Sequence, residues 1–250
     1  MRIDKPEGTL TLRQLWQEAF GDTDAFLDCF FTTAFSPDRC RCVTESGRLL
    51  GVLYWFDVYV QGQKYAYIYA VATAGHSRGK GVCHALIADT NRHLADYGYS
   101  GSMLVPETEA LRRFYAGMGY VSCTCVQEQN VRAGGAPVAA EKVTAQQYAA
   151  LRSRLLPEGG VVQEGENLSF LQAQYQLYAG EDWLLTAYPR EKELFAMEYL
   201  GDTEKCPGIL QTLGFAQGSF RMPGTQQPFA MYLPFTKESE KPAYFGLAFD

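Results

Sequence analysis

Residues 71 to 81 constrain this chain more than any other stretch, because a run of β-type residues stops there at a glycine-rich turn and a helical pattern begins. The turn reads Ala74-Gly75-His76-Ser77-Arg78-Gly79-Lys80-Gly81. After it, Val82, Ala85, Leu86 and Leu94 recur at helical spacing to about Tyr97. The first N–H groups of a helix have no partner within it and carry partial positive charge, so a glycine turn there lets a phosphate approach the backbone. Arg78 and Lys80 add fixed charge, and the junction predicts an anion cradle. A P-loop would need four residues between its glycines and Lys followed by Ser or Thr. Here Gly75 and Gly79 enclose three residues, and Gly81 follows Lys80. A Rossmann turn follows an opening parallel strand, whereas the strands before this turn read as antiparallel hairpins.

Those strands are residues 39–43, 49–60 and 64–73, turned at Ser46-Gly47 and Gln61-Gly62-Gln63. Two helices precede them, one carrying Leu12, Leu15, Trp16 and Phe20, the other Ala25, Phe26, Cys29, Phe30 and Phe31. Downstream, a strand at 102–105 ends at Pro106, and a helix over 107–118 ends at Gly119. Residues 120–131 alternate as a last strand, and Ala133-Gly134-Gly135-Ala136-Pro137 is the clearest break. The expected organisation is α+β with a mixed sheet flanked by helices over residues 1–132, then a smaller α+β domain over 138–250. In that second part the pattern predicts helices at 144–156, 167–178 and 204–213, and strands at 183–188, 194–200, 229–234 and 244–249. The order strand, strand, helix, strand resembles the first half, without a residue-by-residue repeat.

Composition removes several function classes. The 250 residues carry 22 basic and 28 acidic side chains, a net charge of −6, which is not the footprint of a nucleic-acid binder. The longest apolar run, residues 51–56, is far from the roughly 20 residues that cross a bilayer, and the polar start lacks a signal-peptide core, so a cytoplasmic protein is expected. The seven cysteines read as reduced buried thiols. The pairs Cys40/Cys42 and Cys123/Cys125 lack the ligand spacing of common zinc sites, and no metal is expected.

Arg78-Gly79-Lys80-Gly81 resembles the end of the Gln/Arg-x-x-Gly-x-Gly/Ala signature of the GCN5-related N-acetyltransferases (GNAT). The stretch Ala110-Leu111-Arg112-Arg113-Phe114-Tyr115-Ala116-Gly117-Met118-Gly119-Tyr120 resembles that family's later helix, in which an aromatic pair precedes a Gly-Phe/Tyr ending. The resemblance covers about residues 8 to 131 and departs at the first signature position, where His76 stands. It implies acetyl-coenzyme A as cosubstrate, with Val71, Ala72, Thr73, His76, Ser77, Arg78, Gly79, Lys80, Gly81 and Val82 at the cofactor. In that scheme Val71 and Thr73 offer backbone groups to the pantetheine arm, and the amides of residues 77 to 82 meet the pyrophosphate. Tyr115 would sit near the sulfur as the acid for the departing thiolate. The implied activity is N-acetyl transfer to an amine of a small molecule or peptide. The alternative is a protein that keeps the coenzyme A cradle as a binding or sensing module.

No carboxylate on the third strand offers a base. Tyr65, Tyr67 and Tyr69 share one face there, where they either line an acceptor cleft or pack across strands. The first half also resembles acetyltransferases of the enhanced-intracellular-survival type, which place a C-terminal carboxylate in the active site. By that resemblance, Asp250 joins Tyr115 as a catalytic candidate. An oligomer, with Trp55, Phe56 and Tyr59 as an exposed patch, is a third reading.

Overall fold

The computed structural model describes residues 1–249, and Asp250 lies outside the described residues. The chain divides into two compact units, residues 1–121 with 231–240, and residues 122–230 with 241–250. In chain order the first contains β1 (Arg2–Asp4), α1 (Leu10–Phe20), α2 (Asp24–Thr33), β2 (Cys40–Glu45), β3 (Arg48–Val60), β4 (Gln63–Thr73), α3 (Val82–Asp96), β5 (Gly101–Leu104) and α4 (Glu109–Ala116). The short β6 (Val121–Ser122) follows at the boundary. The second unit contains β7 (Cys125–Arg132), β8 (Glu141–Lys142), α5 (Ala145–Leu155), β9 (Val162–Gln163), α6 (Glu166–Gln174), β10 (Gln176–Ala179), β11 (Leu184–Arg190), β12 (Glu193–Leu200), α7 (Cys206–Leu213), β13 (Gln217–Pro223) and β14 (Gln227–Pro228). The chain then returns to the first unit as β15 (Met231–Pro234).

The first sheet runs β1-β2-β3-β4-β5-β15-β6. β2, β3 and β4 form an antiparallel meander, β4 and β5 are parallel across α3, and β15 closes antiparallel on β5. The alternation of β4 decides what covers each face. Ala66 and Ile68 join the core under α3 with Val82, Leu86, Ile87 and Leu94. On the opposite face, rings of α1 and α2 meet rings of the sheet, with Trp16 lying 4.7 Å from Phe30, 5.2 Å from Tyr54 and 5.7 Å from Tyr69. Two of the helices start at a side-chain cap, Thr23 accepting the Phe26 amide in α2 and Thr108 the Leu111 amide in α4.

The second unit repeats part of this path. β11 and β12 form a hairpin, α7 follows, and β13 lies parallel to β12, within the sheet order β14-β7-β13-β12-β11-β10-β8. Its interior holds an ion pair. Arg152 of α5 reaches Glu198 of β12 at 2.7 and 2.9 Å, donates to the Val161 carbonyl at 2.9 Å, and Tyr148 donates to the same carboxylate. The amide of Val161 donates in turn to Tyr244 O at 2.8 Å, and Phe249 packs edge-on against Phe170, which docks the described end of the chain in this unit.

Several expectations are corrected. The single strand over 120–131 is two, and β7 belongs to the second unit because it pairs with β13 through seven residues. The compact units therefore divide the chain at 121/122 rather than at 133–137. The helix expected to run to Tyr178 stops at Gln174, since Gln176–Ala179 pairs with β11. The expected strand at 244–249 is one bridge between Gly160 and Tyr244. Of the proposed exposed patch, Trp55 and Phe56 are buried at 4% and 1% exposure.

The ion pair makes a stability prediction. Removing one partner of a buried pair strands the other charge, so Arg152→Met or Glu198→Leu alone should destabilise the protein by about 3–5 kcal/mol. The double variant should lose clearly less than either single one, as read by urea denaturation.

Candidate functional site

The parallel pairing of β4 with β5 lasts three residues, Tyr65↔Gly101, Ala66↔Ser102 and Tyr67↔Met103. Gly101 pins the closed end, where a Cβ would meet Leu233 O at 2.6 Å and the Tyr65 ring at 2.9 Å, so only glycine fits. β5 ends at Leu104 and is followed by Pro106, which has no N–H to donate. Beyond Tyr67, β4 carries a bulge. Val52 pairs with Ala72 and Tyr54 with Tyr69, so Leu53 faces both Ala70 and Val71, and Ala70 adopts φ +47°. The extra residue turns Val71 toward the α3 core, beside which Cys83 and Met118 also pack. The result is a wedge whose open side is the edge of β4 at Val71 and Thr73, since the backbone of Ala72 pairs with Val52 of β3. Such an edge offers N–H and C=O groups to an extended ligand.

The glycine turn stands at the end of this edge. A short 3₁₀ turn at Gly75–Ser77 leads to Arg78 in extended conformation, and Gly79 (φ +73°) and Gly81 (φ +76°) then take left-handed conformations that glycine adopts freely. The amides of Ser77 and Arg78 are spent inside the turn, on Ala74 O at 2.8 Å and Gly75 O at 3.3 Å. Ala85 is the first residue of α3 to bond back, to Gly81 O at 2.9 Å. The donors free for an anion are therefore those of Gly79, Lys80, Gly81, Val82, Cys83 and His84, two residues later than the sequence suggested. No side chain caps α3 at Gly81. Arg78 folds back so that its Nε donates to Thr73 O at 3.2 Å, which ties the turn to the end of β4 and occupies one of the carbonyls expected to serve the ligand. His76 and Lys80 are exposed, whereas Ser77 is buried.

Tyr115 of α4 faces the α3 core at 7% exposure, its ring 5.3 Å from Phe114 and 5.8 Å from Tyr120. Burial raises its phenol pKa far above the usual value, so the hydroxyl stays protonated across the working pH range. The Tyr120 hydroxyl is committed to Ser102 and Asn91. Burial also pushes the Cys83 thiol up to about 11, which makes it a poor nucleophile near neutral pH. Tyr67 and Tyr69 pack into the ring cluster, Tyr67 stacked on Phe56 at 6.1 Å and Tyr69 5.9 Å from Phe30, while Tyr65 donates to Glu240 O at 2.6 Å. The Asp250 candidate lies outside the described residues.

One residue escaped the sequence reading. Glu18 of α1 accepts the Gly75 amide at 2.7 Å, and it stands 57 positions away, so no local pattern could have signalled it. Its carboxylate orders the first turn of the loop and sets a negative charge beside the run of unpaired amides. Glu18→Gln keeps an acceptor oxygen and removes the charge. Pyrophosphate titrated calorimetrically should bind this variant a few-fold more tightly than the parent protein; weaker binding would contradict this account of Glu18.

Residues 5–123 match the family described as an acetyltransferase (GNAT) domain. None of the curated proteins matches the chain. Among solved structures, the chain resembles a GCN5-related N-acetyltransferase from Kribbella flavida at 17% identity, over 92% of this chain and 70% of that one, with a TM-score of 0.70. A conserved protein of unknown function from Enterococcus faecalis, a probable N-acyltransferase, aligns at 16% identity over 93% and 72% with a TM-score of 0.73. Eis1 from Mycobacterium abscessus aligns at 12% identity over 90% and 67% with a TM-score of 0.64. At these identities the likeness is one of fold, and it spans both units. Residues 5–123 thus match a GNAT acetyltransferase domain, and the chain shares its fold with these acetyltransferases, Eis1 among them.

Proposed function

We propose that the chain is an acetyl-coenzyme A-dependent N-acetyltransferase that passes the acetyl group to an amine of a small molecule or peptide by direct attack. The observation that carries this reading is the wedge itself, whose unpaired β4 edge runs into a set of unpaired amides at the start of α3. An extended arm ending in a pyrophosphate needs that combination, so the residues present fit the cosubstrate. When bound, coenzyme A supplies a thioester-activated acetyl group.

The chain's own groups divide the work. The backbone groups of Val71 and the N–H of Thr73 align the arm along the strand, as an added strand would lie. The amides of Gly79 to Val82 fix the pyrophosphate, with Lys80 adding charge. Tyr115 holds a proton for the sulfur as negative charge builds there. Its raised pKa keeps the phenol neutral, the state that donates. The raised pKa of Cys83 argues against acyl transfer through that thiol, which favours direct attack over a covalent acyl-enzyme.

No helix among the described residues is long and apolar enough to cross a bilayer, and no three or more of their His, Cys, Asp and Glu side chains are grouped to hold a metal ion.

Tyr115→Phe tests the assignment of the acid. Thiol release with an amine acceptor should fall about 100-fold in kcat, the scale of a lost general acid, while KM for acetyl-coenzyme A stays within about threefold. The parent protein should keep full kcat up to about pH 10, because a phenol raised above its usual range does not ionise below it. An unchanged kcat in the variant would remove Tyr115 from the reaction. Coenzyme A binding with no thiol release for any amine would favour the sensing alternative.

A further inference from the structure

Gly51 of β3 lies beneath both halves of the proposed site. It pairs with Val43 of β2 and Thr73 of β4, and its φ lies outside the left-handed region, so its backbone is one that any residue adopts. Space is what requires glycine. A Cβ at this position would come within 3.1 Å of Val82 Cγ1, 3.2 Å of Ala72 O and 3.7 Å of Leu86 Cδ2. The first two distances fall short of the roughly 3.5–4.0 Å at which such atoms pack without strain.

Neither of those neighbours gives way easily. Val82 opens α3, is buried and is β-branched, so its side chain has little rotamer freedom in a helix. Ala72 O belongs to the backbone of β4, and the pairing of Ala72 with Val52 holds it in the sheet. Both neighbours carry or flank groups offered to the ligand. The Val82 amide is one of the free donors at α3, and Ala72 stands between Val71 and Thr73 on the β4 edge. An extended arm that ends in a pyrophosphate must meet strand and helix start together, so the gap between them is part of the fit. Resting on the coenzyme A reading above, we infer that Gly51 is a positioning residue, which acts through Val82 and Ala72 and seats α3 on the sheet at the separation that one ligand spans. A methyl group there pushes the first turn of α3 away from β4 by a few tenths of an ångström, and the amides move as a group.

The test is calorimetric titration of the full chain, as Gly51→Ala, Val82→Ala and the double variant, with coenzyme A and with pyrophosphate. Pyrophosphate needs only the helix start, so its affinity reports the amides without the strand. In Gly51→Ala, affinity for coenzyme A should fall about tenfold, the scale of a sub-ångström misplacement, while affinity for pyrophosphate stays within about twofold. Where Val82→Ala has already removed Cγ1, the same glycine substitution should lower coenzyme A affinity by only about twofold, which is the mark of coupled neighbours. An unchanged coenzyme A affinity in Gly51→Ala, an equal fall for both ligands, or an equal fall in both backgrounds would overturn the inference and leave the coenzyme A reading standing. Should Gly51→Ala lose its cooperative urea transition, the double variant should recover it, and failure to do so also overturns the inference. A parent protein that binds pyrophosphate but not coenzyme A overturns the coenzyme A reading and this inference with it.

Discussion

Everything in the first unit depends on β4 and β5 being unable to stay paired. At Gly101 three strands approach so closely that no side chain fits, which locks the closed end of the wedge. Three and four residues further along β4 than the last pair, the bulge at Ala70 and Val71 bends the strand, and β5 has already run out. A sheet normally avoids exposing unpaired backbone, because buried N–H and C=O groups without partners are costly. Here the exposed edge is maintained by packing on both faces: the α3 core on one, the rings of Trp16, Phe30, Tyr54 and Tyr69 on the other. The fold is therefore held by contacts that do not use the edge, and the edge remains available to a ligand.

The second unit shows what the same path looks like without a cradle. β12 and β13 are parallel across α7, as β4 and β5 are across α3. The turn before α7, however, contains Asp202 and Glu204, the Asp202 side chain already accepts the Glu204 amide, and Pro207 in the first turn has no N–H. Acidic groups and a missing donor repel the anion that glycine and lysine invite at α3. The path recurs in the second unit without the unpaired amides, so the proposed cosubstrate site falls in the first unit alone.

The sequence was legible where local chemistry decides structure. The turn from Gly75 to Gly81 could be read because glycine spacing and the onset of helical periodicity at Val82 are local signals. The bulge was hidden, because Ala70 is not a residue type that announces a left-handed conformation; tertiary packing imposes it. β13 was missed since Gly218 and Pro223 interrupt its β pattern, yet it pairs with two neighbours. The return of Met231–Pro234 to the first unit is a pairing over more than 100 residues, which no periodicity encodes. For the same reason Glu18, 57 positions from the Gly75 amide it accepts, carries no local signal of its place at the loop.

The account's central claim is that a coenzyme A ligand occupies the open edge of β4 and the free amides at the start of α3. Hydrogen exchange with and without coenzyme A reads those amides directly. The account predicts slowed exchange at residues 70–73 and 79–84, with little change at residues 193–200 and 217–220 of the second sheet. Binding without protection at residues 70–73 and 79–84 would contradict it.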